Sequence, residues 1–98
     1  MTRRITIMPL AQAHLETVTQ AIATRHGTEV ADRAFDDMAT VFAMLARFPR
    51  NGHQLPQNPA HFRFLNRHVR IVYEFDESEL RINAVIPARM SFRPGVEA

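Results

Sequence analysis

Four arginines in the second half of the chain, Arg63, Arg70, Arg81 and Arg89, lie in or just beyond segments that alternate apolar and polar residues, so they are candidates for one outer face of a sheet. Guanidinium groups held on a rigid sheet suit one kind of chemistry, the bidentate, charge-assisted binding of phosphate or carboxylate. They do not suit proton transfer, because arginine stays protonated. All 12 basic residues are arginine, so no lysine is available as a base, a nucleophile or a Schiff-base donor. Of the 5 histidines, His53, His61 and His68 fall near these arginines. No carboxylate is spaced to orient any of them as a base, and none has zinc-type spacing. With Cys at 0 and Gly at 3, thiol chemistry and a phosphate-cradling glycine loop are both absent. Neither a cofactor nor a metal is expected.

Charge is distributed unevenly. No acidic residue occurs from Met38 to Tyr73, whereas Arg47, Arg50, Arg63, Arg67 and Arg70 all fall inside that stretch. The acids gather in Glu29 to Asp37 and again in Glu74 to Glu79. A basic middle of this kind suits an acidic partner, nucleic acid or protein. At 98 residues, 46% hydrophobic and 22% charged, the chain fits a single domain over 1–98 with one modest core. No apolar run approaches the roughly 20 residues of a membrane span. The basic start "MTRRITIM" soon gives way to polar residues, which argues against a signal peptide and for a cytoplasmic protein.

The elements that must carry these arginines follow from periodicity. Ile5 and Ile7 alternate with Thr6 in a first short strand, and Pro9 suits the start of a helix. Ala11, Leu15, Val18 and Ile22 recur at helical spacing up to Gly27, with Thr28 expected as the N-cap of a second helix. Ala31, Ala34, Phe35, Met38, Val41, Phe42 and Leu45 form the apolar stripe of that helix, so a helical hairpin is expected. "FPRNGHQLPQNPA" (48–60) is dense in turn residues and reads as a loop. Three strands then follow. "HFRFL" turns Phe62 and Phe64 inward, and "HVRIVYEF" turns Val69, Ile71, Tyr73 and Phe75 inward. "LRINAVI" turns Leu80, Ile82, Ala84 and Ile86 inward, against Arg81, Asn83 and Val85. The expected fold is α+β, in the order β-α-α-β-β-β, with the hairpin on one face of a small, mostly antiparallel sheet. Parity carried through Pro87 would set Arg89 beside Arg63, Arg70 and Arg81 on the other face.

The sequence resembles the RelE/ParE superfamily of type II toxin–antitoxin toxins, on its ParE-like branch, from about Ile5 to Phe92. Phe48, Pro49, Arg50 and Gly52 match that branch's turn after the second helix. Arg70, Ile71, Val72 and Tyr73 match its central strand, and Arg89 matches its terminal arginine. Two positions depart from the pattern: Pro87 stands where a histidine is usual, and Met90 where a charged residue is common. The resemblance implies a toxin that inhibits DNA gyrase by binding; its matched arginines, Arg70 and Arg89, together with Arg63 and Arg81 from the parity of the sheet face, are the expected target contacts. It also implies neutralisation by a ParD-like antitoxin from a neighbouring gene. RelE-type members share the fold and cut mRNA on the ribosome, a role in which Arg70 and Arg89 would hold the phosphate. A homologue that only binds its antitoxin is the third possibility.

Overall fold

The computed structural model describes residues 2–66 and 69–87. Strand β1 (Arg4–Ile7) leads into helix α1 (Pro9–His26) and helix α2 (Thr28–Arg47). A single 3-10 turn (Pro49–Asn51) then precedes β2 (His53–Leu55), β3 (Asn58–Leu65), β4 (Val69–Phe75) and β5 (Glu79–Pro87). The five strands form one sheet in the order β1-β5-β4-β3-β2, antiparallel except where β1 runs parallel to β5. The two helices pack against each other, and α1 lies along β5.

Pro9 opens α1 at a position where its missing N–H costs no hydrogen bond. Gly27 ends α1 and precedes α2 directly, with φ +97°, a conformation side-chain-bearing residues rarely adopt. Its N–H donates to the Ala23 carbonyl, and its own carbonyl accepts from Ala31 N–H. The N-cap of α2 is therefore Gly27 and not Thr28, which is the first helical residue and makes no side-chain cap.

The core is closed by Ala11, Leu15 and Val18 of α1, Met38, Phe42, Leu45 and Ala46 of α2, and the inward residues of the sheet. Phe62, Val69, Ile71, Tyr73, Leu80 and Ile82 are all buried on that inner face. Each fully buried large apolar side chain contributes about 1.5–3 kcal/mol. Arg63, Arg70 and Arg81 occupy the opposite face, away from the helices, as the alternation requires.

Three further expectations fail, each for an identifiable reason. Phe35 is 46% exposed. It shares a side of α2 with the fully buried Ala46, about three turns further on. The carbonyl of Ala46 receives the Arg3 N–H beside β1, and Phe35 lies well before that contact with the sheet.

The stretch 48–60 is not all loop. β2 and the first residues of β3 form a hairpin at the sheet edge with an irregular register between Gln54 and Leu55. Pro56 and Pro59 are tolerated there because edges and bulges tolerate a missing N–H. Finally, β5 carries a bulge. Val72 pairs with Ala84 but Tyr73 pairs with Ile82, so Asn83 is the extra residue. Beyond it the alternation inverts: Val85 is fully buried, while Ala84 and Ile86 are half-buried on the outer face. Pro87, opposite Val69, is then on the core side. The parity that placed Arg89 with the other arginines does not survive the bulge, and Arg89 itself lies outside the described residues, as do Arg67, His68 and Met90.

Candidate functional site

The outer face of the sheet is ordered in rows across the strands. The first row contains Thr6, Arg81 and Glu74, with His61 beside Glu74. Arg81 is enclosed by acids there. Its guanidinium lies 2.7 Å from Glu79, 3.3 Å from Asp76 and 3.5 Å from Glu74. Asp76 is held at about 2, first by the backbone N–H groups of Ser78 and Glu79 and then by Arg81. Glu74 is lowered chiefly by the Asn83 amide, and Glu79 chiefly by the Thr6 hydroxyl, with Arg81 contributing to both. These hydrogen bonds to the charged form raise Arg81 still further above its ordinary value. Arg81 therefore fastens the β4–β5 turn, and its charge is already neutralised.

The second row holds Ala84, Val72, Arg63 and His53, and the third holds Ile86, Arg70 and Leu65. This end of the face is different in character. Arg63 and Arg70 are half-buried and have no carboxylate partner among the described residues. The Nε of Arg70 is buried with no hydrogen-bond partner among the described residues, an unmet donor of the kind native structures usually satisfy. The strand neighbours of the two arginines in these rows include the apolar Val72, Ala84, Ile86 and the 55% exposed Leu65. Of the four arginines marked in the sequence, the structure brings Arg63 and Arg70 together as available cations and ties Arg81 into its acidic cage.

Among the described residues one histidine has a carboxylate partner, against the expectation that none would: His61, two residues before Arg63 on β3, is set beside Glu74 by the strand pairing. His61 faces Glu74 at 3.7 Å in the first row. Tyr73 points into the core, where burial pushes its phenol up to about 12. Its hydroxyl donates to the Pro49 carbonyl at 2.6 Å and accepts the Gly52 N–H at 3.1 Å. His53 stands opposite Arg63 on the edge strand, exposed, with no carboxylate beside it among the described residues. No group of three or more metal-ligating side chains is found among the described residues.

Two features escaped the sequence reading. The hydroxyl of Tyr73 joins the turn Phe48–Gly52 to the central strand, although the two motifs are far apart in sequence. That bond also explains Gly52: a Cβ there would collide with the Tyr73 hydroxyl and lie 2.6 Å from the Arg63 carbonyl oxygen. The second feature is a cleft of about 490 Å³ on the helical side of the sheet. It is lined by Arg3, Arg47, Phe48, Arg50, Phe75 and their neighbours.

A helical hairpin on a five-stranded sheet is a fold found in solved structures of toxin–antitoxin systems. The structure of a chromosomal ParDE toxin–antitoxin system from P. aeruginosa superposes with a TM-score of 0.74 at 18% identity, covering 88% of this chain and 96% of that one. A chain of the toxin–antitoxin complex RelBE2 from Mycobacterium tuberculosis superposes with a TM-score of 0.62 at 17% identity, covering 89% and 99%. Both establish likeness of fold. A search of curated sequences finds no match. The model of the ParE toxin of type II toxin–antitoxin systems matches residues 5–92, and the chain belongs to that family.

Proposed function

We propose that this type II toxin acts by binding DNA gyrase through the Arg63/Arg70 end of its outer sheet face, and that a cognate antitoxin neutralises it. The observation that carries the reading is the pair of guanidiniums, Arg63 and Arg70, without a carboxylate partner among the described residues, while the nearby His61–Glu74 pair is bound into the Arg81 network. Such a face can grip carboxylates or phosphates through charge-assisted hydrogen bonds. Phosphodiester cleavage would need a base and an acid as well. The antitoxin reading is supported by the two structural neighbours, both determined as toxin–antitoxin assemblies. It is also supported by exposed Leu10 and Phe35 on the helical hairpin, apolar surface that an amphipathic segment could cover. Arg89, outside the described residues, remains a proposed third contact.

Ribosome-dependent mRNA cleavage is the competing mechanism, and one observation favours it: His53 shares its row with Arg63. Induced expression in cells distinguishes the two. Trapped gyrase–DNA complexes that decline in Arg63→Ala and Arg70→Ala, with His53→Ala unchanged, support gyrase binding. Each lost charge-assisted contact should weaken the effect by about tenfold or more. Codon-positioned mRNA cuts that vanish in His53→Ala, with DNA intact, would overturn it.

A further inference from the structure

The arginine cleft on the helical side of the sheet is a second binding site, separate from the Arg63/Arg70 face. We propose that it captures a carboxylate-bearing, aromatic-containing segment of a partner protein, with Arg47 and Arg50 as the gripping cations. The site is built from three directions. Arg3 is structural: its Nε donates to the Asp76 carbonyl at 2.5 Å, and its terminal nitrogen donates to the Ala46 carbonyl at 3.3 Å. It thereby closes the C-terminal end of α2 with a cation, where the helix dipole favours one. Its guanidinium also lies 5.3 Å from the centre of the Phe75 ring.

Arg47 and Arg50 are placed differently. The Arg47 guanidinium lies 5.7 Å from the Phe48 ring centre, and that of Arg50 lies 5.6 Å from the Phe75 ring centre. Neither has a carboxylate partner among the described residues. Contact with an aromatic ring restrains a guanidinium while leaving N–H donors for an incoming acid. Arg50 is further steadied by the Tyr73 hydroxyl, which holds both Pro49 and Gly52 on either side of it. Phe48, 55% exposed, offers an apolar surface beside the cations. Preorganised donors next to an exposed ring match a peptide that presents a carboxylate beside an aromatic side chain.

The rim of the cleft decides between a peptide and a nucleic acid. Asp76 and Glu77 both line it. The Asp76 carboxylate is spent on the Ser78 and Glu79 N–H groups and on Arg81, so it does not quench Arg47 or Arg50. Glu77 nonetheless keeps negative charge at the edge. A continuous phosphate backbone would be repelled there, whereas a peptide can set single carboxylates on the arginines and a neutral residue beside Glu77.

The test uses the full chain labelled with nitrogen-15 and follows the arginine side-chain Nε–H resonances. The probes are a blocked pentapeptide of glutamates around one phenylalanine, the same peptide with glutamine for glutamate, and a short single-stranded oligothymidylate. The glutamate peptide should shift the Arg47 and Arg50 resonances saturably. The pair Arg47→Gln and Arg50→Gln should weaken it by about tenfold or more, and Arg63→Gln with Arg70→Gln by less than about twofold. Equal binding of the glutamine peptide would overturn the proposal, as would absence of any shift. Stronger displacement of the same resonances by oligothymidylate would overturn it in favour of nucleic acid. All these readouts are independent of gyrase and of toxicity, so they stand apart from the outcome for the outer face.

Discussion

Removing one oxygen atom, by Tyr73→Phe, tests how the turn after α2 is held. The ring itself is fully buried and would stay, 5.7 Å from Phe62 and 6.5 Å from Phe75 between centroids. What disappears is the acceptor for Gly52 N–H at 3.1 Å and the donor to the Pro49 carbonyl at 2.6 Å. A buried group left unsatisfied costs about 1–3 kcal/mol. The carbonyl side is the more buried of the two bonds, so a loss of about 2 kcal/mol is expected. For a domain of this size that is a fall in Tm of about 8–16 °C. Calorimetry of wild type and variant measures it, and the Arg50 Nε–H resonance should broaden or move as the turn loosens. The wild-type protein supplies a second check, because Tyr73 is the single tyrosine and there is no tryptophan. Phenolate absorbance should titrate at about 12 in the folded protein, against 10.0 for an ordinary phenol. Since the folded value is raised, this stabilisation is complete below 10 and is lost as pH climbs toward 12. A variant within about 2 °C of wild type would refute the hydroxyl as the link between turn and strand, and a phenol titrating near 10 would refute the burial of the hydroxyl.

His14 makes a second long-range bond. Its Nδ1 accepts the Val85 N–H at 3.0 Å, next to the β5 bulge. His14→Ala should cost about 1–3 kcal/mol and speed hydrogen exchange at the Val85 amide; unchanged exchange there would exclude the role. The acidic cage around Arg81 sets the low-pH limit of stability. Asp76, Glu74 and Glu79 are all lowered in the fold, so their stabilisation is present above the ordinary carboxylate range and lost as pH falls, for Asp76 through about 2. Arg81→Ala should shift acid unfolding, followed by circular dichroism, to higher pH. Superimposable acid limbs would show that the cage does not couple to folding.

How far the sequence revealed the fold depended on the range over which its signal acts. Helix α2 was legible because its stripe repeats within a few residues, and β4 because seven residues alternate without interruption. The β2 edge strand was not, since three residues flanked by Gly52 and Pro56 carry no period and pair only because β3 already exists. The bulge at Asn83 was invisible for a related reason. "LRINAVIP" is apolar enough to satisfy either parity, and only the partner strand and His14 select one. At the candidate site, position was legible and availability was not. Arg63, Arg70 and Arg81 share the outer face as alternation requires. Whether each is free depends on the β4–β5 turn, which folds its own acids back onto Arg81.

That distinction bears on how one small sheet could serve two partners. At the first row of the outer face Arg81 is enclosed and neutralised by Glu74, Glu79 and Asp76 in one lattice. The Asn83 bulge lies where this lattice meets the second row, and it substitutes Ala84 and Ile86 for what unbroken alternation would have made Asn83, Val85 and Pro87. The β5 positions in the rows of Arg63 and Arg70 are thereby the apolar Ala84 and Ile86, and Asn83 gives its amide to Glu74. A guanidinium in such surroundings is less hydrated, and an arriving anion displaces less water to reach it. On the helical side, Arg47 and Arg50 obtain a comparable setting from Phe48 and Phe75. Both proposed sites therefore rest on the same physical device, arginines without carboxylate partners among the described residues set beside apolar residues, on opposite faces of the sheet. The Asp76 turn lies between them, giving its carbonyl to Arg3 and its carboxylate to Arg81.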